Sequence, residues 1–364
     1  MPKQQSLIII GAGLSGLYAA WKLRKEYDIT LLEARSRIGG RILSPSIGNN
    51  KNSNIDLGPA WCWPQLQPRL NKLTQALNIK TFAQFTQGDM LYETSGNNMQ
   101  RYGGQSSHSQ SYRIVGGATS LVDKLASELD PLSTHTNTQV LSINQETLNI
   151  NARRDEKEIT YTADKIILAL PLRLLEQKIE FQPPVKNEIT QLWKDTPTWM
   201  AGHCKIIFIY ETAFWRNKDL SGEVFSQHGP MSEIYDGSPE TEEHYALTAF
   251  IGLNSQQRRQ INSEQLIDAC MTQLNRLFGQ ASQNIKDIQI MDWSTDPFTA
   301  SEIDTMTTAH HPQYPASASR TLGNGNIILA GTETAIDHGG YLEGALESAE
   351  LALSILEQGT TLQS

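Results

Sequence analysis

The chain has 364 residues, 39% of them hydrophobic and 19% charged, with 26 glycines and a formal net charge of −9. This is the composition of a globular protein of about two domains or one interleaved α/β body, and it excludes fibrous, disordered and disulfide-stapled classes. The negative balance without any basic run excludes a nucleic-acid footprint, and Cys62, Cys204 and Cys270 are too few and too scattered for a zinc knuckle or a disulfide framework. Reduced thiols point to a cytoplasmic setting. The start of the chain lacks the basic and apolar stretches of a secretory signal and reads as mature structure. No apolar run is long enough to predict a membrane-spanning helix.

In chain order, the apolar Leu7–Ile10 predicts a strand, Gly11 to Gly16 a tight turn, Leu17, Ala20 and Leu23 a helix, and Ile29–Leu32 a second strand. Polar excursions follow at 44–54 and 95–111. A helix is expected from Thr119 to before Pro131, and strands at Val140–Ile143 and Ile166–Leu170. A second layer is expected from strands at Lys205–Tyr210 and Ala246–Ile251 with a helix at Gln265–Phe278. The closing stretch returns to the opening style, a strand at Asn326–Ala330, then Gly331, then a helix from about Gly344 to Leu356. The simplest fold is α/β, a Rossmann-like domain (1–78, 112–190 and 320–364) interleaved with a substrate domain of mixed sheet plus helices (79–111 and 191–319).

The first turn carries the chemistry. In Gly11-Ala12-Gly13-Leu14-Ser15-Gly16, Gly11 permits the turn, Gly13 lets backbone approach a pyrophosphate, and Gly16 lets helix and strand pack closely. Glu33 follows about 20 residues on, at the end of the second strand, where a carboxylate takes ribose hydroxyls. A strand before, a helix after and the acid at that offset predict dinucleotide binding, with Leu14 and Ser15 opening the helix at the phosphates.

The adjoining residues separate NAD from FAD by resemblance. Glu33-Ala34-Arg35-Ser36-Arg37-Ile38-Gly39-Gly40-Arg41 resembles the extended fingerprint of the flavin amine oxidase family, the group of monoamine, polyamine and L-amino acid oxidases. Asp56-Leu57-Gly58-Pro59-Ala60-Trp61, Gly116 to Leu121, Ala169-Leu170-Pro171, Lys205 to Arg216 and Ala330-Gly331-Thr332-Glu333-Thr334 through Gly340-Tyr341-Leu342-Glu343-Gly344-Ala345 are similar to that family's later blocks, in its order. The resemblance implies FAD, with Val140 among its contacts and Arg35 and Arg41 as cations at the pyrophosphate, and the lack of a flavin-linking cysteine at Ala300–Ile303 makes the expected attachment non-covalent. It implies Lys205 as the lysine that holds a water at flavin N5, and a closing helix whose positive end faces the flavin. It implies oxidation of a small amine by hydride transfer, with O2 reoxidising the flavin to give hydrogen peroxide.

Two departures bear on substrate. Tyr341 matches one wall of the family's paired-aromatic cage, but Ala300, Ser301, Glu302 and Ile303 stand where a glycine pair, a flavin-linking cysteine in some members, and the second aromatic would be. Trp61 stands where L-amino acid oxidases place a carboxylate-clamping arginine. With Trp63 it makes an aromatic wall suited to an amine without an α-carboxylate. Arg101 or Arg113 keeps the amino acid oxidase alternative open, and two further alternatives are a desaturase or dehydrogenase with another electron acceptor and a flavoprotein partner with degraded catalysis. Asp89, Glu93, Glu233 and Asp236 are solvated-face candidates or an entrance for a polycation. His310-His311 lacks metal-ligand spacing and reads as a surface loop, and no metal is expected. Oligomeric state stays open.

Overall fold

The computed structural model describes residues 4–47, 53–96, 98–104, 106–107, 110–241, 243–305, 310–314 and 320–361. Residues 48–52 of the first polar excursion and 97, 105, 108 and 109 of the second lie outside them.

Strand β1 (Ser6–Ile10), helix α1 (Leu14–Leu23) and strand β2 (Asp28–Leu32) form where the apolar periodicity places them. β1 lies parallel to β2 on one side and to Lys165–Leu168 on the other. Its side chains are covered on both faces, which is why the run Leu7–Ile10 is apolar without alternation. The sheet has six strands, ordered Thr321–Leu322, Ile327–Leu329, Lys165–Leu168, β1, β2 and Thr134–His135. Its centre is therefore built from the two ends and the middle of the chain. On one face α1 packs against the closing helix, Leu342–Thr361, which starts and ends beyond its expected bounds.

A second sheet of seven strands runs Asp287–Asp292, Cys204–Tyr210, Tyr245–Ile251, Met231–Asp236, Leu220–Ser226, Asp89–Glu93 and Met99–Tyr102. Cys204–Tyr210 is buried along its whole length, with helix Ser263–Phe278 contributing Cys270, Leu274 and Phe278 to the core on one side. A smaller four-stranded sheet includes Thr138–Asn144. All three cysteines are free and buried, and burial pushes the Cys62 thiol up to about 11 and those of Cys204 and Cys270 to about 12. None is a ready nucleophile at neutral pH. Among the described residues, no helix is long and apolar enough to cross a membrane.

Candidate active site

A cavity of about 370 Å3 is lined by residues of both the six-stranded and the seven-stranded sheets. At its nucleotide end the chain leaves β1 through Gly11, whose φ of +102° falls where glycine is favoured and where a Cβ would also lie 2.6 Å from Ala169 O. Gly13 is the N-cap of α1, with no side-chain cap and no acid in the first turn, so the first N–H groups of the helix are left for a ligand. A Cβ at Gly16 would drive into Gly11 O, so that glycine sets the strand-to-helix packing. Gly40, with a φ of +58°, passes so close that its Cβ would lie 3.2 Å from Gly13 Cα. These positions form a cradle that any side chain would fill.

Glu33, 3% exposed, ends this first unit. Its Oε2 accepts from Ala12 N at 2.9 Å and its Oε1 from Arg35 N at 2.9 Å, which aims the carboxylate along the cavity wall. Arg35 differs from a free cation. It forks onto Asp296, with Nε and Nη2 at 3.2 and 2.8 Å, reaches Thr299 Oγ1 at 2.8 Å, and lies over the Phe298 ring. Arg41 is also paired, at 2.8 Å from Glu333 Oε1. Glu333 is buried, and its other oxygen, Oε2, has no partner. A buried carboxylate oxygen with no donor is costly, and a ribityl or ribose hydroxyl of a bound dinucleotide would supply the missing one. The uncapped helix, the glycine cradle and this oxygen fit FAD. Thr334 does not share the task, since its hydroxyl bonds back to Gly331 O at 2.8 Å.

Of the residues singled out as cofactor contacts, Gly11, Gly13, Leu14, Ser15, Glu33, Arg35, Gly39, Gly40, Arg41, Gly58, Pro59, Ala60, Trp61, Pro171, Gly331, Glu333, Gly340, Tyr341, Leu342 and Ala345 all line the cavity. Gly16, Ala34 and Val140 are not on its wall. Val140 instead sits in the hydrophobic core with Ile10 and Leu32, because the alternation of its strand turns that position inward.

At the other end Lys205 and Trp63 reach the cavity with Trp61. Lys205 is 3% exposed, donates to Gly58 O at 2.7 Å and Asp56 O at 3.0 Å, and lies 5.4 and 5.2 Å from the ring centres of Trp61 and Phe250. Burial lowers its pKa to about 8, against a smaller opposing pull from Asp56, while Arg113 adds to the lowering. Trp61 is fixed by its Nε1 donating to Gln84 Oε1 at 2.8 Å and by edge contact with Tyr235. Tyr341 stands at the mouth, 40% exposed, with its phenol pKa raised by burial.

Neither candidate carboxylate clamp points into this end. Arg113 is buried against Asp56 and Ser238 O, off the cavity wall, and Arg101 pairs with Asp89 at the surface. The four acids singled out in sequence are engaged too. Glu93 is buried on Arg276, Asp236 holds Trp215 and Arg216, and Glu233 accepts from Tyr235.

Sequence reasoning missed Trp199, Met200, His203, Phe250 and Trp293, all on the cavity wall. Phe250 stands directly opposite Lys205 in the antiparallel pair, so its position follows once the strand register is known. His203 precedes Lys205 by two, the period that puts strand residues on one face. Burial, aided by the Arg258 guanidinium, holds its imidazole below the usual range, and its Nδ1 has no partner. Trp199 carries no local signal. It reaches the wall because Asp304, paired with Arg173 at 2.5 Å, accepts from Thr198 N at 3.0 Å.

The fold and this cradle define a dinucleotide-binding flavoprotein. Family profiles agree, with that of the NAD(P)-binding Rossmann-like domain matching residues 9–77 and that of flavin containing amine oxidoreductases residues 93–352. The chain belongs to the flavin containing amine oxidoreductase family, and FAD-dependent oxidation of an amine is its activity. It is similar to a probable flavin-containing monoamine oxidase A of Dictyostelium discoideum, 22% identical over 444 residues that take in 94% of this chain and 95% of that one. It is 27% identical to amine oxidase [flavin-containing] B of Sus scrofa over 67% of this chain, but the match spans only 46% of that protein. In structure it resembles a putrescine oxidase triple mutant, with a TM-score of 0.81, 20% identity and coverage of 98% of this chain and 99% of the other.

Proposed function

We propose that the substrate is a small amine without an α-carboxylate, held between aromatic walls and oxidised at its α-carbon. The observation that carries this is the make-up of the cavity wall, where Trp61, Trp63, Phe250 and Tyr341 share the lining with one buried lysine, and both arginines that line it among the described residues are paired with acids. FAD, which the glycine cradle at the N-terminus of α1 together with Glu33 and Glu333 would hold, would supply the hydride acceptor and the route for electrons to O2, so that an amine would leave as an imine that hydrolyses and O2 as hydrogen peroxide.

The chain's own residues do the positioning. Residues 1–78, 112–190 and 320–364 hold the cofactor, and 79–111 and 191–319 complete the substrate side. Glu33 would hold ribose hydroxyls, the N-terminus of α1 the pyrophosphate, and Glu333 a further hydroxyl of the cofactor. Aromatic faces take a neutral amine while excluding water, and a substrate carboxylate finds no free guanidinium to pair with. An ammonium has three donors, and Gly58 O and Asp56 O take two at Lys205. The third serves a water and places positive charge where negative charge develops as O2 is reduced.

Peroxide production from matched pairs tests this, each pair an amine and the amino acid that yields it on decarboxylation. The amine is turned over and the amino acid is not. Preference for the amino acid overturns the reading.

A further inference from the structure

Tyr341 is the most exposed of the aromatic residues proposed to wall the substrate. It lines the cavity and is 40% exposed. One face of its ring is covered. His311 stacks on it with ring centres 4.7 Å apart and planes 10° from parallel, and His311 is absent from the cavity wall, so the stack lies on the side turned away from the substrate.

His311 is itself held at three points. Its Nε2 lies 2.8 Å from Gly339 O, so the ring donates from Nε2 to the turn that carries Tyr341. Trp199 meets it edge-on at 5.0 Å and 67°, and Tyr314 at 5.8 Å and 84°. The same two rings close on the turn. A Cβ at Gly339 would enter the Tyr314 ring, and one at Gly340, whose φ is +81°, would come within 2.7 Å of Trp199 Cβ. The two glycines before Tyr341 are therefore the only residues that admit this bracket.

We infer that His311 is a positioning residue for amine oxidation, acting through Tyr341 by holding the outer face of its ring so that the inner face stays against the amine. The inference rests on the reading of Tyr341 as a substrate wall. Stacking of this kind contributes beyond buried area, and its loss costs a factor of about five in the rate of flavin reduction at limiting amine.

The test is a double-mutant cycle on the holoenzyme, with flavin reduction by benzylamine followed anaerobically and reoxidation followed after admission of air. H311A lowers reduction at limiting amine about fivefold, H311F restores most of it, and FAD content and reoxidation rate stay at wild-type values. H311Q, which keeps a donor for Gly339 O but no stacking ring, behaves as H311A and replaces it if H311A gives no holoprotein. On a Tyr341→Ala background His311→Ala adds nothing. If Y341A slows reduction and the two losses multiply, or if H311F is as slow as H311A, His311 does not act through Tyr341. If Y341A leaves reduction unchanged, the wall reading fails and the inference with it.

Discussion

The two ends of the cavity are built by opposite means. The nucleotide end is an absence of side chains at Gly11, Gly13, Gly16 and Gly40, all within one stretch of sequence, where each missing Cβ makes room for backbone or ligand. The substrate end is an accumulation of large side chains, Trp61, Trp199, Lys205, Phe250 and Tyr341, from four separate parts of the chain. Steric cradles are local and intolerant, whereas aromatic walls are long-range and open to change. The first end falls within the stretch matched by the Rossmann-like profile, residues 9–77, whereas most of the residues at the second fall within the stretch matched by the amine oxidoreductase profile, residues 93–352.

The sharpest way to break that contrast is at the cradle. Gly16→Ala pushes a methyl group into Gly11 O, and we expect a loss of about 3 kcal/mol of stability and a colourless protein, read by denaturant midpoint and flavin absorbance. A yellow, stable G16A protein would mean the strand-to-helix contact has slack that the structure does not show.

Next in size is Lys205→Met, which removes the buried cation without filling the cavity. Reoxidation by air falls about a hundredfold, on the scale of losing one preorganised donor, while flavin reduction by amine changes little, both read by stopped-flow absorbance. In the wild type, reoxidation declines as pH rises through about 8, where Lys205 releases its proton. The K205M variant has no such step.

At the nucleotide end, Glu333→Gln leaves the cradle intact but weakens the acceptor beside Arg41, and FAD affinity falls about tenfold by equilibrium titration of apoprotein. An unchanged affinity would show that the unpartnered Oε2 does not meet the cofactor.

The nucleotide end was legible because its signals are short. Gly11 to Gly16 and Glu33 sit one strand and one helix apart, and the polarity pattern fixes those elements without knowledge of the rest. Even there, pairing was invisible. That Arg35 is held by Asp296 and Arg41 by Glu333 depends on contacts between residues hundreds of positions apart. The placing of the Val140 side chain is another such case, because its strand's register packs it in the core beside Ile10 and Leu32 and not on the cavity wall. Ile303, where the family pattern puts the second aromatic, stands beside Asp304, which pairs with Arg173 and accepts from Thr198 N, next to Trp199 on the cavity wall. Only the packed chain shows this arrangement. His311, taken as a loop residue, is a loop residue packed on Tyr341.

The smallest expected effect concerns stability. Because burial depresses the Lys205 pKa to about 8 from 10.5, the folded protein gives up this proton before the unfolded chain does. Between those values the unfolded state binds more protons, so the wild type gains stability relative to K205M as pH rises from 8 to 10.5. Paired unfolding curves at pH 7 and 10 measure the change, and a gap that moves the other way contradicts a buried lysine that is charged at neutral pH.

The most direct test of the whole account is anaerobic mixing of the yellow holoprotein with primary amines, polyamines and L-amino acids, followed by air. Bleaching of the flavin by amines alone, with recovery and stoichiometric peroxide once oxygen returns, is the predicted result. Bleaching by amino acids alone, or recovery that needs an acceptor other than oxygen, would contradict it.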